Sequence, residues 1–293
     1  MIIVKLIGGL GNQMFQYAFA RSLALHHGVE LKLDISELSM SKEIMDFTNR
    51  PLGLYAFSIV SEIASDEEVR SFLKGKGGKI IDRVSLSLPF KSRHFYLREP
   101  YFQFYSKAMK APAHTYVDGY WHSEKYFVVH RKQIVNDFTI KNISSPVEKW
   151  KDEIENKNAV SVHVRRGDYL NETNRKIYAE CGSAYYLKAM EAIGKKTADA
   201  EYYIFSDDPD WCMKNLGTGS RLHFVDVEKQ HKPHEDIFLM SLCKHNVIAN
   251  SSFSWWGAWL NRNKNKIVIA PEKWFLSADK NTKDLLPENW IKI

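Results

Sequence analysis

Residues 2–33 read IIVKLIGGLGNQMFQYAFARSLALHHGVELKL, and the reading of this stretch decides the fold class. The short apolar run 2–7 is broken by Gly8, Gly9 and Gly11, after which Met14, Phe15, Ala18, Leu23 and Leu25 follow a helical pattern. His26, His27 and Gly28 close that helix, and residues 29–33 resume a strand-like run. Strand, tight turn, helix and second strand make a βαβ unit, the repeating piece of a parallel sheet.

Outward from this unit the signals weaken between residue 34 and about residue 110. A helix is expected over 66–73, a glycine and lysine cluster spans 75–79, and an aromatic stretch covers 90–105. Strand character returns at 115–120, and a helix is expected from Ser123 towards Ile134. Ser144, Ser145 and Pro146 precede VEKWKDEIENKN, which reads as a capped, charged surface helix. The domain boundary is placed there, giving domains 1–145 and 146–293. Downstream, strands at 160–164, 202–205, 222–225, 247–249 and 267–269 alternate with helices at 185–193, 210–215, 234–244 and 253–261. This is a five-strand doubly wound α/β pattern, with ligands expected at the carboxyl ends of its strands.

The net charge of +6 can favour an anionic partner such as a nucleotide, a nucleic acid or a lipid surface. The basic residues are spread along the chain and no nucleic-acid motif occurs, so nucleic acid is not expected as a partner. Cys181, Cys212 and Cys243 make an odd set without C-x-x-C spacing, which argues against a disulfide framework or a zinc knuckle and fits a reducing cytoplasm. No transmembrane segment is expected, because no apolar run reaches about 18 residues. Any membrane contact is expected to be peripheral, at the inner face of the cytoplasmic membrane, and driven by basic charge.

Three segments carry the chemistry. In VSVHVRRGDYL, residues 160–170, an apolar strand ends in His163, Arg165, Arg166, Gly167 and Asp168. A guanidinium offers a planar fork of donors matched to phosphate oxygens; equally, an Arg–Asp pair can simply cap the strand. In YYIFSDDPDW, residues 202–211, Pro209 suits the first position of a helix, which makes Asp208 a candidate N-cap and Asp207 the freer carboxylate, fit to meet the adjacent N–H donors of guanine. The same residues also read as an Asp-x-Asp metal site, Asp208-Pro209-Asp210. In VIANSSFSWWGAWLN, residues 247–261, Asn250, Ser251, Ser252 and Ser254 stand between a buried strand and an aromatic helix. Such a helix start suits a diphosphate, or it is an ordinary serine cap. Trp255, Trp256 and Trp259 are expected to pack the helix. The opening turn lacks the third glycine of a dinucleotide fingerprint, since Met14 stands there; Asn12 and Gln13 are placed either to meet sugar hydroxyls or, in the case of Asn12, to cap the helix.

Together, GGLGNQMFQY at 8–17, HVRRGD at 163–168, FSDD at 205–208 and SSFSWWGAW at 251–259 resemble the bacterial α-1,2-fucosyltransferases of glycosyltransferase family eleven. The resemblance implies two Rossmann-like domains of the GT-B type, with the donor, GDP-fucose, in the C-terminal domain and the acceptor in the cleft between domains. It implies that Arg165 holds the β-phosphate with Arg166 beside it, that Asp207 meets guanine, and that Ser251, Ser252, Phe253 and Ser254 line the donor pocket. Gly11 and Asn12 would approach from the N-terminal domain. It also implies an inverting transfer to a galactoside or other oligosaccharide acceptor, without metal or other cofactor, in polysaccharide biosynthesis. Asp168 and His163 are the candidates for the base, and Asp168 is equally a candidate to orient Arg165.

Overall fold

The structure is a computed structural model and describes residues 1–40, 51–73, 94–225, 231–277 and 280–293. The cluster at 75–79 and the start of the aromatic stretch at 90–93 lie outside the described residues. The chain divides into two compact units, Met1–Thr139 with Lys283–Leu285, and Ile140–Thr282 with Leu286–Ile293. The division falls after Thr139, and a short later segment returns to the first unit. That return is held by Asp284, whose carbonyl accepts from Ser123 Oγ at 2.6 Å and whose carboxylate takes the Phe104 amide and Lys125.

In the first unit β1 (Ile2–Lys5), β2 (Leu31–Asp34), β3 (Glu62–Ile63), β4 (Phe95–Arg98) and β5 (Thr115–Asp118) form a parallel sheet in the order β3-β2-β1-β5-β4. Ile2, Ile3 and Val4 are fully buried, as the near-continuous apolar run of a central parallel strand requires. The helix Leu10–His27 joins β1 to β2 and stops at Gly28, which adopts the left-handed conformation and donates its N–H to the Ala24 and Leu25 carbonyls. The helix expected from Ser123 resolves instead into 3₁₀ turns at Glu124–Tyr126 and Val128–His130 before the helix Arg131–Asp137. Phe127, between the turns, has φ −141°, outside the helical range, while its ring packs on Phe15 and that of Tyr126 on Phe19.

In the second unit β6 (Asn158–Val164), β7 (Ala200–Ser206), β8 (Leu222–Phe224), β9 (His245–Val247), β10 (Val268–Ala270) and β11 (Ile291–Lys292) form a parallel sheet in the order β11-β10-β9-β6-β7-β8. The sheet thus has six strands where five were expected; β11 is two residues long and exposed, too short for any periodicity. Val160, Val162, Ile204, Val247 and Ile269 pack with Tyr186, Ala189 and Ile193 of the helix Ser183–Gly194. The helix Ser145–Glu155 starts with Pro146 in its first turn, but the Ser144 side chain makes no capping bond; its N–H donates to Glu235. Trp255, Trp256 and Trp259 are buried as packing residues, and all three cysteines are free and buried. No helix among the described residues is long and apolar enough to cross a membrane.

Candidate functional site

From β6 the chain moves to β7 and β8 on one side, then returns to β9, β10 and β11 on the other. The order therefore reverses between β6 and β9, and in an open α/β sheet such a switch point leaves a crevice outside the carboxyl ends of the strands. Register brings three distant segments to that end. Val164 pairs with Ser206 and Val162 with Val247, so residues 165–168, 207–208 and 248–251 leave the sheet on neighbouring strands.

Arg165 stands at the centre of this group. One terminal nitrogen meets Asp168 Oδ1 at 2.5 Å, and the other lies 2.7 Å from Asp207 Oδ2. The Asp207 contact is an ion pair without hydrogen-bond alignment. A guanidinium carries five N–H groups, and the Arg165 side chain remains 25% exposed, so the fork keeps donors beyond the two carboxylate contacts. Asp207 also accepts from the backbone N–H of Arg166 at 2.9 Å. With one oxygen on each arginine, Asp207 is placed to orient Arg165.

Arg166 is committed to its surroundings. Its Nε donates to Asp208 and its Nη1 to Glu180, each at 3.2 Å, and its guanidinium lies 4.2 Å from the ring centroid of Trp211. Asp208 caps the helix Pro209–Leu216 by accepting from the Trp211 N–H at 3.1 Å. Its two oxygens are thus on the cap and on Arg166, and Asp210 is exposed. Among the described residues no group of three or more His, Cys, Asp or Glu side chains is arranged to hold a metal ion.

His163 is 6% exposed, with Nδ1 lacking a hydrogen-bond partner and its ring 5.4 Å from that of Phe253. Burial, with Arg165 nearby, lowers its pKa to about 3, so the imidazole is neutral near pH 7. Ser251 caps the helix Ser252–Leu260 by accepting from the Phe253 N–H at 3.3 Å. Ser254 is buried and its hydroxyl faces the Ser251 and Ala249 carbonyls, so it serves the helix start; Ser252 and Phe253 are only partly buried. Asn250 is buried and ties the Ala179 and Trp274 carbonyls together.

Tyr169 and Tyr178 were not singled out from sequence. Their rings stack at 4.3 Å, Tyr169 donates its hydroxyl to the Asn250 carbonyl, and the Arg165 guanidinium lies 5.7 Å from the Tyr169 ring centroid. The only available signal was the position of Tyr169 directly after Asp168.

Gly11 and Asn12 belong to the first unit, where Asn12 Oδ1 lies 3.0 Å from His122 Nε2. Asn12 is inside the helix and Gly9 is its cap, so the capping reading of Asn12 does not hold. Gln13 is used internally: it donates to the Gly8 and Pro51 carbonyls and accepts from the Gly53 N–H.

The family model described as glycosyl transferase family 11 matches residues 79–293. The chain is 33% identical over 302 residues to an Escherichia coli alpha-1,2-colitosyltransferase, covering 100% of this chain and 99% of the relative. It is 24% identical over 300 residues to the Rattus norvegicus galactoside alpha-(1,2)-fucosyltransferase 1, covering 98% of this chain and 71% of the relative. Among solved structures, an Arabidopsis thaliana FUT1 variant in complex with GDP aligns with a TM-score of 0.51 at 13% identity, over 91% of this chain and 69% of the other. That likeness concerns the fold alone, a GT-B fold of two Rossmann-like α/β units.

Proposed function

The chain belongs to glycosyl transferase family 11, and from that membership we propose that it transfers L-fucose from GDP-β-L-fucose to the 2-hydroxyl of a terminal β-galactosyl acceptor. The observation that carries the donor assignment is the placement of Arg165 at the switch point between β6 and β9, on the same end of the sheet as the start of the helix Ser252–Leu260. As the sugar departs, negative charge grows on the GDP phosphate. A guanidinium and the N–H groups of a helix start stabilise that charge more in the transition state than in the bound donor. Asp168 and Asp207 hold the guanidinium in place. The acceptor oxygen attacks the face opposite the phosphate and converts a β-linked donor to an α-linked product. No metal is required in this scheme, because Arg165 supplies the compensating charge.

His163 is a poor base near pH 7, since a buried imidazole with a pKa of about 3 has little affinity for a proton. Its part is packing against Phe253, with Nδ1 buried and neutral.

A second donor has support of its own. The full-length similarity to an alpha-1,2-colitosyltransferase favours GDP-colitose, which lacks the 3-hydroxyl of fucose. One experiment separates the readings: the protein is incubated with GDP-fucose or GDP-colitose and a panel of β-galactosides, with and without EDTA, and product linkages are read by NMR. An α-1,2-linked fucosyl product that persists in EDTA supports the proposal. Colitosyl product alone replaces the donor, a different linkage replaces the acceptor hydroxyl, and dependence on added metal removes the metal-free scheme.

A further inference from the structure

Within the second unit, two segments carry the groups assigned to the leaving phosphate: the exit of β6, with Arg165 and the turn Gly167–Leu170, and the start of the helix Ser252–Leu260 beyond β9. Tyr169 joins them. Its hydroxyl donates to the Asn250 carbonyl at 3.0 Å, while its ring centroid lies 5.7 Å from the Arg165 guanidinium, within cation–π range. The carbonyls on either side of Asn250 are used inside their own segment. The Ser254 hydroxyl faces Ala249 O at 3.5 Å and Ser251 O at 3.3 Å, and the Trp255 N–H donates to Ser251 O at 3.0 Å. At Asn250, by contrast, the donor comes from the exit of the neighbouring strand.

Both ends of this bond are anchored. Asn250 is 1% exposed, and its side-chain amide donates to the Ala179 carbonyl at 2.7 Å and the Trp274 carbonyl at 2.9 Å. The turn that carries Tyr169 is held by Asn174, whose amide donates to the Asp168 carbonyl at 2.8 Å. Tyr178 backs the Tyr169 ring at 4.3 Å and is itself fixed by a backbone bridge to Phe275. Burial raises the Tyr169 phenol far above its ordinary value, so the group keeps its proton and remains a donor at any working pH.

A hydrogen bond between two anchored segments fixes their spacing, and charge stabilisation depends on donors being held in place before the charge develops. We propose that Tyr169 is a positioning residue for the transfer. Through its bond to the Asn250 carbonyl it sets the distance between the Arg165 guanidinium and the start of the helix Ser252–Leu260, so that both meet the same phosphate. Tyr169 itself touches neither donor nor acceptor in this scheme. The proposal rests on the glycosyl-transfer reading above and adds to it the element that makes two separate cationic or N–H groups act as one.

Tyr169→Phe keeps the ring and removes only the hydroxyl bond; Tyr169→Leu removes the ring as well. In Tyr169→Phe, kcat for transfer from GDP-fucose is expected to fall about 10–100-fold with KM for the acceptor unchanged, and Tyr169→Leu should lose more. Calorimetry with GDP and GMP supplies a readout independent of turnover, because GMP lacks the second phosphate. Wild type should prefer GDP, and Tyr169→Phe should lose several-fold of that preference while binding GMP as wild type does. A lowered Tm with kcat and the GDP preference intact would make Tyr169 a structural brace only and overturn the proposal. Equal weakening of GDP and GMP would overturn it too. Either result leaves the glycosyl-transfer reading standing, whereas a wild type that binds GMP as tightly as GDP removes the phosphate role of Arg165 and, with it, this proposal.

Discussion

Asp207 reaches Arg165 because residue 167 has no side chain: a Cβ on Gly167 would lie 2.6 Å from Asp207 Oδ2, the oxygen that sits 2.7 Å from Arg165. A separation under 3.0 Å forces a shift, and the carboxylate end of Asp207 is the part that can move. Gly167→Ala is therefore expected to release Arg165 with little loss of fold. The transfer rate should drop about 10–100-fold, the effect of misplacing a positioning group. Asp207→Asn should act in the same direction, and the two changes together should cost less than their sum, because both remove one contact. Steady-state kinetics of the three variants check this; additive losses would show that the two residues act separately.

His163 predicts a pH effect on stability. Its folded pKa of about 3 lies below the ordinary value of 6.5, so between those pH values the unfolded chain binds a proton that the folded one refuses. The stability contribution is complete above about pH 6.5 and is lost progressively as pH falls towards 3. His114, His130, His234 and His245 are also lowered by burial, so the chain as a whole should lose Tm on acidification. His163→Asn should flatten part of that slope. Thermal unfolding of both proteins from pH 7.5 to 4.5 is the check, and parallel curves would remove His163 as a contributor.

Asp208 predicts a structural cost. Replacing it with Ala removes the N-cap of the helix Pro209–Leu216, worth about 1 kcal/mol, and one partner of Arg166. Urea unfolding should show a loss of that order. Activity in the presence of EDTA should fall no further in Asp208→Ala than in wild type. A variant that is inactive yet rescued by Mg²⁺ or Mn²⁺ would revive the Asp-x-Asp metal reading.

Much of the second unit was legible because its strands are short apolar runs followed at once by polar or charged residues. The run 160–164 ends in two arginines, and a doubly wound pattern sends such an end to the ligand side. What periodicity does not carry is the pairing of side chains across strands. Asp207 read as the freer carboxylate because Asp208 caps the helix, yet the register Val164 to Ser206 brings it to Arg165 and to the Arg166 amide. The link between Asn12 and His122 spans 110 positions, and the carboxylate of Glu99 accepts from the Tyr120 and Trp121 N–H groups beyond the neighbouring strand. β3 and β11, of two residues each, are too short to show an alternating pattern, and both are set by pairing with a neighbour.

Arg165 tests the donor assignment most directly. Arg165→Ala is compared with wild type for transfer from GDP-fucose and for GDP binding by calorimetry, with circular dichroism and Tm as controls for folding. The expected result is at least about a 10³-fold loss of kcat/KM, the scale of removing a charge-stabilising group from a transition state, together with weakened GDP binding and a retained fold. Transfer within a few fold of wild type by a folded Arg165→Ala would contradict the phosphate role and return Arg165 to a strand-capping ion pair.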